Sequence, residues 1–197
     1  MRSVLTVMLL SLPVFGQRQE VGFTLGGLRP ANRTAVESKG GIGLQANYGI
    51  RLWGNDMVAL FGEVHMLASP KREVTADRRA LAATTDYASL YLTPGVRLKF
   101  NPKGRIQPYA AMGGGYSLYE HSTLNAGGTA NIAPRHKSSG VFDYGGGVDV
   151  PVKKWLALRG EVRDFYTPNP VYNIFGVNGS RQHNVVLGGG FVLRFGN

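Results

Sequence analysis

The chain has 197 residues, enough for one domain of ordinary size, and no cysteine, so an exported fold here needs no disulfide framework. Its formal net charge is +10, a balance that in a cytoplasmic protein suggests nucleic acid. The mean hydropathy of −0.10 argues against a helical membrane protein, and beyond the N-terminus no run of about 18 consecutive apolar residues follows.

The first sixteen residues read as a removable secretory signal. Arg2 supplies the positive start, Val4 to Phe15 is an apolar stretch too short to span a bilayer, and Val14-Phe15-Gly16 ends on a small residue. Cleavage after Gly16 leaves a mature chain of 17–197. The other reading of this stretch is a buried first strand or helix. Export makes nucleic acid an unexpected partner. Lipopolysaccharide phosphates in an outer membrane are a more suitable counter-surface for the basic charge.

The rest of the chain alternates with a period of two. Near 19–29 the outward set is Val21, Phe23 and Leu25. After a polar segment, 30–40, the run 41–53 sets Ile42, Leu44, Ala46, Tyr48, Ile50 and Leu52 against Gly43, Gln45, Asn47, Gly49 and Arg51. The tight turn Gly54-Asn55-Asp56 leads to 57–68. There Val58, Leu60, Gly62, Val64 and Met66 alternate with Ala59, Phe61, Glu63 and His65. A long segment, 69–85, precedes 86–100, in which Leu90, Leu92, Pro94, Val96, Leu98 and Phe100 oppose Ser89, Tyr91, Thr93, Gly95, Arg97 and Lys99.

Residues 101–105 turn tightly into 106–119, whose outward set is Ala110, Met112, Tyr116 and Leu118. A third long segment, 120–138, leads to 139–150, with Phe142, Tyr144, Val148 and Val150 against Asp143, Gly145, Gly147 and Asp149. The turn at 152–154 connects to 155–166, where Leu156, Leu158, Gly160 and Val162 alternate with Ala157, Arg159, Glu161 and Arg163. After 167–181 comes 182–195. Its odd positions Val185, Leu187, Gly189, Phe191, Leu193 and Phe195 are mostly bulky, and its even ones are mostly small or polar.

Eight strands result, each at least the roughly 9–11 residues that a tilted membrane strand needs. Tight turns alternate with polar segments of about 11 to 19 residues, against an ordinary connection of about 4–6. The expected fold is therefore an all-β, eight-stranded antiparallel transmembrane barrel, with short periplasmic turns and long extracellular loops. An eight-stranded bore is just wide enough to be filled by side chains. Three Gly-Gly-Gly runs, 113–115, 145–147 and 188–190, leave room for larger inward groups.

Inward charges need partners. Counting back from the turns places Asp143 opposite Arg163, Gly145 opposite Glu161, Asn47 near Glu63 and Gln45 near His65. The expected interior network is Glu63, Arg97, Asp143, Arg159, Glu161, Arg163 and Arg194, read as a salt-bridged plug in preference to an ion path. Aromatic girdles are expected from Phe100 and Phe195 at the periplasmic end, and from Tyr87, Tyr116, Phe142 and Tyr166 at the other. Trp53 and Trp155 lie at the periplasmic level on the inward parity.

The long segments carry Arg29, Arg33, Lys39, Lys71, Arg72, Arg78, Arg79, Arg135, Lys137 and Arg181, cations suited to lipid phosphate or simply to water. Enzyme and cofactor signals fail. Gly41-Ile42-Gly43-Leu44-Gln45-Ala46 opens a strand, where a nucleotide loop would open a helix. His65, His121, His136 and His183 lack ligand spacing. No Ser, His and acid gather at an outer rim. Asn32-Arg33-Thr34 and Asn178-Gly179-Ser180 are formal glycosylation sequons without weight in a bacterial export setting. No catalytic residue, metal or cofactor is expected.

Several phrases resemble one family. Leu92-Thr93-Pro94-Gly95-Val96-Arg97, Gln107-Pro108-Tyr109 and Tyr144-Gly145-Gly146-Gly147-Val148-Asp149 are similar to strands of the small eight-stranded bacterial outer-membrane barrels of the OmpA/OmpX type. The ending through Gly190, Leu193 and Phe195 is similar to the signal read by the barrel-assembly machinery. It departs in carrying Gly196 and Asn197 beyond the aromatic, and Gly188 where a polar residue is usual. The resemblance implies a monomeric protein of the cell outer membrane, assembled by that machinery, with a structural or surface-interaction role through its loops. A narrow gated pore is the second reading and a lipid-modifying enzyme the third. A soluble lipocalin-like barrel is the alternative fold, and it would bury the apolar set and expose the charges.

Overall fold

A computed structural model describes residues 18–31, 37–75, 81–174 and 181–196. The expected secretory signal, 1–16, and the cations Arg33, Arg78 and Arg79 lie outside the described residues. The strands are β1 (Gln19–Ala31), β2 (Glu37–Ser38), β3 (Gly41–Gly54), β4 (Val58–Thr75), β5 (Asp86–Phe100), β6 (Gln107–His121), β7 (His136–Lys153), β8 (Leu156–Pro168) and β9 (Arg181–Phe195). Neighbours pair antiparallel, β1 joins β9 from Gln19↔Phe195 to Ala31↔His183, and β4 joins β5, so eight strands close a ring. The two-residue β2 sits outside the ring on the extended end of β4. Closure is what lets a sheet cross lipid, because every backbone group then has a neighbour and no edge is left.

The side chains sort as the alternation demands. Leu92 is 49% exposed, Val96 43% and Leu187 69%, whereas Arg97 is fully buried. Phe23, Leu44, Met112, Leu118, Phe142, Val150, Leu158, Val162 and Phe191 complete an apolar coat on the outer wall. A soluble barrel is thereby ruled out, since its coat would be the charged set.

Two registers differ from those counted off the turns. Asn47 lies opposite His65 and Gly49 opposite Glu63; Gly145 lies opposite Arg163 and Gly147 opposite Glu161. Each pairing slides by two residues, which preserves every inward and outward assignment. The cause is local. The first turn sits later because the Asn55 side chain caps it, its Oδ1 accepting the backbone N–H groups of Met57 and Val58 at 2.9 Å. Bulges at Arg51/Trp53 and Pro151/Lys153 absorb the remainder.

Strands extend further on the long-loop side than the alternation suggests. Ser69–Thr75, read as loop, belongs to β4, and β7 already begins at His136. The β5–β6 ladder skips Thr93 and Pro94, because Pro94 has no N–H to give to Gly114. Glycine is required where strands and side chains crowd. A Cβ at Gly190 would lie 1.8 Å from the Phe23 carbonyl oxygen, and one at Gly22 would lie 2.1 Å from Asn47 Oδ1 and 3.0 Å from Arg159 Nη1.

Candidate functional site

The bore holds two stacked layers. The lower, toward the short turns, is ionic. Five carboxylates (Glu20, Glu63, Asp143, Asp149, Glu161) face five cations (Arg97, Lys99, Arg159, Arg163, Arg194). Glu63 Oε2 accepts from Asn47 Nδ2 at 2.8 Å and lies 3.1 Å from Arg97 Nε, while its Oε1 meets Arg163 Nη2. Arg163 Nη1 donates to Asp143 Oδ2 at 2.8 Å, a diagonal contact that the two-residue slide creates. Arg159 grips Asp149 with two bonds, 2.7 and 2.9 Å, the fork geometry guanidinium favours. Glu161 accepts from Tyr109 OH at 2.6 Å. Arg194, partly exposed at the mouth, donates to Gln107 Oε1 at 2.7 Å and lies 3.3 Å from Glu20.

All seven residues of the expected network line this layer. The alternation also marks Glu20, Lys99 and Asp149 as inward, and the structure makes them central. Lys99 Nζ reaches Glu20 at 2.6 and 2.8 Å and Asp149 at 2.9 Å, and Arg97 Nη2 reaches Glu20 at 2.9 Å. Aromatic rings separate the charges. The Arg97 guanidinium stands 5.0 Å over Phe61, and that of Arg159 stands 4.8 Å over Tyr109.

The upper layer is aromatic, a plug that the alternation of residues does not reveal. Tyr87, Tyr91, Tyr119, Phe165 and Tyr172 pack with Leu28, Leu67, Val141 and Val186. Tyr91 lies 5.3 Å from Phe165 and 6.0 Å edge-on to Tyr119, and Tyr119 OH is hydrogen-bonded to Thr167 Oγ1 at 2.6 Å. Tyr87 is therefore not a girdle residue. It is fully buried, with the Arg72 guanidinium 4.6 Å above its ring. Arg72, expected among the loop cations, is inside because a bulge between Ser69 and Arg72 reverses the alternation of β4. A bulge does the opposite for Trp53, which is 60% exposed despite its inward parity. Phe100, Phe195, Tyr116 and Phe142 are on the outer wall.

Three loop segments close the upper end. Leu124 bridges Ala130 and Thr84 bridges Asn125; Thr84 N–H donates to the Tyr172 carbonyl at 2.9 Å, and Asn173 Nδ2 to the Ala82 carbonyl at 2.8 Å. His121, just above the exposed Glu120–Arg135 pair and so outside the membrane-facing band, ties two of these segments. Its Nδ1 lies 2.8 Å from the Pro134 carbonyl, and its Nε2 accepts the Val171 N–H at 3.0 Å. That pairing assigns the neutral ring with the proton on Nδ1. Burial, with the nearby cationic side chains, holds its pKa below the ordinary 6.5. Below that value the unfolded chain binds more protons than the cap does. The latch is thus complete above about pH 6.5 and weakens as pH falls through the lower folded pKa. The protection factor of the Val171 amide in hydrogen exchange is expected to be constant above about pH 6.5 and to fall progressively as pH is lowered below it, and a protection factor that stays constant down to the acid unfolding of the barrel would refute the latch.

The remaining cations are partly committed. Lys39 pairs with Glu73 at 2.7 Å and Lys71 with Asp86 at 3.1 Å, while Arg181 stacks 5.3 Å from the Tyr166 ring. On the outer wall near the upper rim, His183 Nδ1 lies 2.5 Å from Asp164 Oδ2, which also accepts from Tyr144 OH at 2.8 Å. This is an acid–histidine pair, and its third contact is a phenol that donates to the acid. A hydrolase triad instead needs a hydroxyl handing its proton to the imidazole. Among the described residues no cluster of His, Cys, Asp and Glu could hold a metal ion.

A closed eight-stranded ring with an apolar coat and a charged bore defines a transmembrane barrel of the bacterial outer membrane. Residues 3–195 match the model of the outer membrane protein beta-barrel domain, and the chain belongs to that family, resident in the cell outer membrane. Among solved structures it is similar to Neisserial surface protein A, at 13% identity over 92% of this chain and 100% of that one, with a TM-score of 0.55. It is also similar to Ail, the attachment invasion locus protein of Yersinia pestis, at 13% identity over 91% and 99%, with a TM-score of 0.51. Both likenesses show the fold. No curated protein matches the chain.

Proposed function

We propose that this barrel is a surface-interaction protein, a filled and rigid stem that presents an ordered cap outside the cell. The observation that carries this reading is the bore. An ionic layer and an aromatic layer lie across it in series, and the cap closes over both. The cap in turn presents apolar side chains to the outside. Ile132 is 84% exposed, Leu81 64% and Leu124 54%, on a frame held by Asn125 and Asn131. Exposed apolar side chains on a polar frame are the usual makings of a protein contact.

Two measurements test the reading. In planar bilayers the purified protein is expected to give no steady single-channel current. Cells displaying it are expected to adhere to a panel of immobilised extracellular-matrix proteins, and Leu81→Ser/Leu124→Ser/Ile132→Ser is expected to reduce that adhesion several-fold. Steady currents would favour a gated pore, and unchanged adhesion by the triple variant would remove the cap from the interaction.

A further inference from the structure

The lower end of the barrel is open. A cavity of about 680 Å³ faces the short turns, floored by Phe61 and walled by strands from both ends of the chain. Five cations line it: Arg18, Arg51, Lys99, Lys154 and Arg194. Glu20 is the carboxylate of the lining, and it is already engaged by Lys99, Arg97 and Arg194. Lys99 and Arg194 are in addition shared with Asp149, at 2.9 and 3.7 Å.

Among the described residues the cations at the floor of the cavity are therefore paired, while Arg18, Arg51 and Lys154 at its rim have no carboxylate partner. Arg51 Nη2 reaches the Asn55 carbonyl at 3.5 Å, the limit of a hydrogen bond; Arg18, whose carbonyl accepts the Arg51 N–H at 2.9 Å, and Lys154, from the β7–β8 turn, are exposed and line the same cavity. Concave walls of one charge with low-dielectric surroundings focus the field into the space between them. A guanidinium pair with an ammonium matches the oxygens of phosphate or carboxylate.

We propose that this periplasmic vestibule binds an oxyanion, a phosphate or carboxylate group of a periplasmic molecule, between Arg18, Arg51 and Lys154 above Phe61. The site is on the opposite side of the membrane from the cap, so it stands or falls independently of the surface-interaction reading.

Trp155 lines the same cavity, with Lys153 Nζ 5.5 Å from its ring. The sequence has two tryptophans, so Trp53→Phe leaves Trp155 as the single reporter. Titration of that folded variant in detergent micelles, at constant ionic strength, with pyrophosphate and separately with citrate is expected to change Trp155 fluorescence saturably. Adding Arg51→Gln/Lys154→Gln is expected to weaken the binding at least tenfold. Saturation by pyrophosphate alone assigns the phosphate source, and by citrate alone the carboxylate source. A response that chloride reproduces, one that the double substitution leaves unchanged, or none at all overturns the proposal. Amide chemical shifts of Lys99 and Gly196 in the unsubstituted protein read the same titration should Trp53→Phe fail to fold.

Discussion

Replacing Glu63 by Gln is expected to lower the stability of the folded barrel by about 3–5 kcal/mol, the cost of breaking a buried ion-pair network by removing one of its members. Glu63 holds two guanidiniums at once, those of Arg97 and Arg163, and accepts from Asn47 on a third strand. The substitution preserves shape and removes charge, so buried Arg97 keeps only Glu20, buried Arg163 keeps Asp143 with a longer contact to Glu161, and the layer is left with one positive charge in excess. Urea unfolding in micelles, followed by the difference in gel migration before and after boiling, measures the loss. Lys39→Met, which breaks an exposed pair, is expected to leave the midpoint where it was. If Glu63→Gln behaved like Lys39→Met, the ionic layer would be ornamental to folding.

Leu92→Arg tests the other wall. Leu92 lies near the middle of β5 on the lipid-facing side, next to Met66 on one neighbouring strand and Tyr116 on the other. An arginine at the bilayer midplane of a barrel costs about 2–4 kcal/mol, and little near the interfaces. The same unfolding measurement in phospholipid vesicles is expected to show that loss, while Leu92→Phe is expected to be nearly neutral. An arginine tolerated at position 92 without cost would place that face in water and would contradict the membrane assignment.

These two positions also mark how far the alternation of residues can be read. It gives the side of the wall for Glu63 and Leu92 because a strand turns over every residue, whatever it pairs with. It fails where an extra residue is inserted. Bulges turned Arg72 inward and Trp53 outward, and a bulge leaves no mark in composition. It also gives no height within the bore. Tyr87 shares the parity of Tyr91 and was legible as inward, yet only the packing of Tyr119 and Tyr172 around it shows a plug where a girdle was expected. Tyr172 itself comes from a loop, where no period operates.

Sequence alone thus determined the eight strands, the closure into a barrel and the choice of which face meets lipid, since these follow from a period of two and from connection lengths. Tertiary structure decided who meets whom across the bore. Arg97 finds Glu20 at a separation of 77 residues and Arg163 finds Glu63 at a separation of 100. Such contacts depend on the stagger at which the sheet closes, a property of all eight pairings together that no single strand carries.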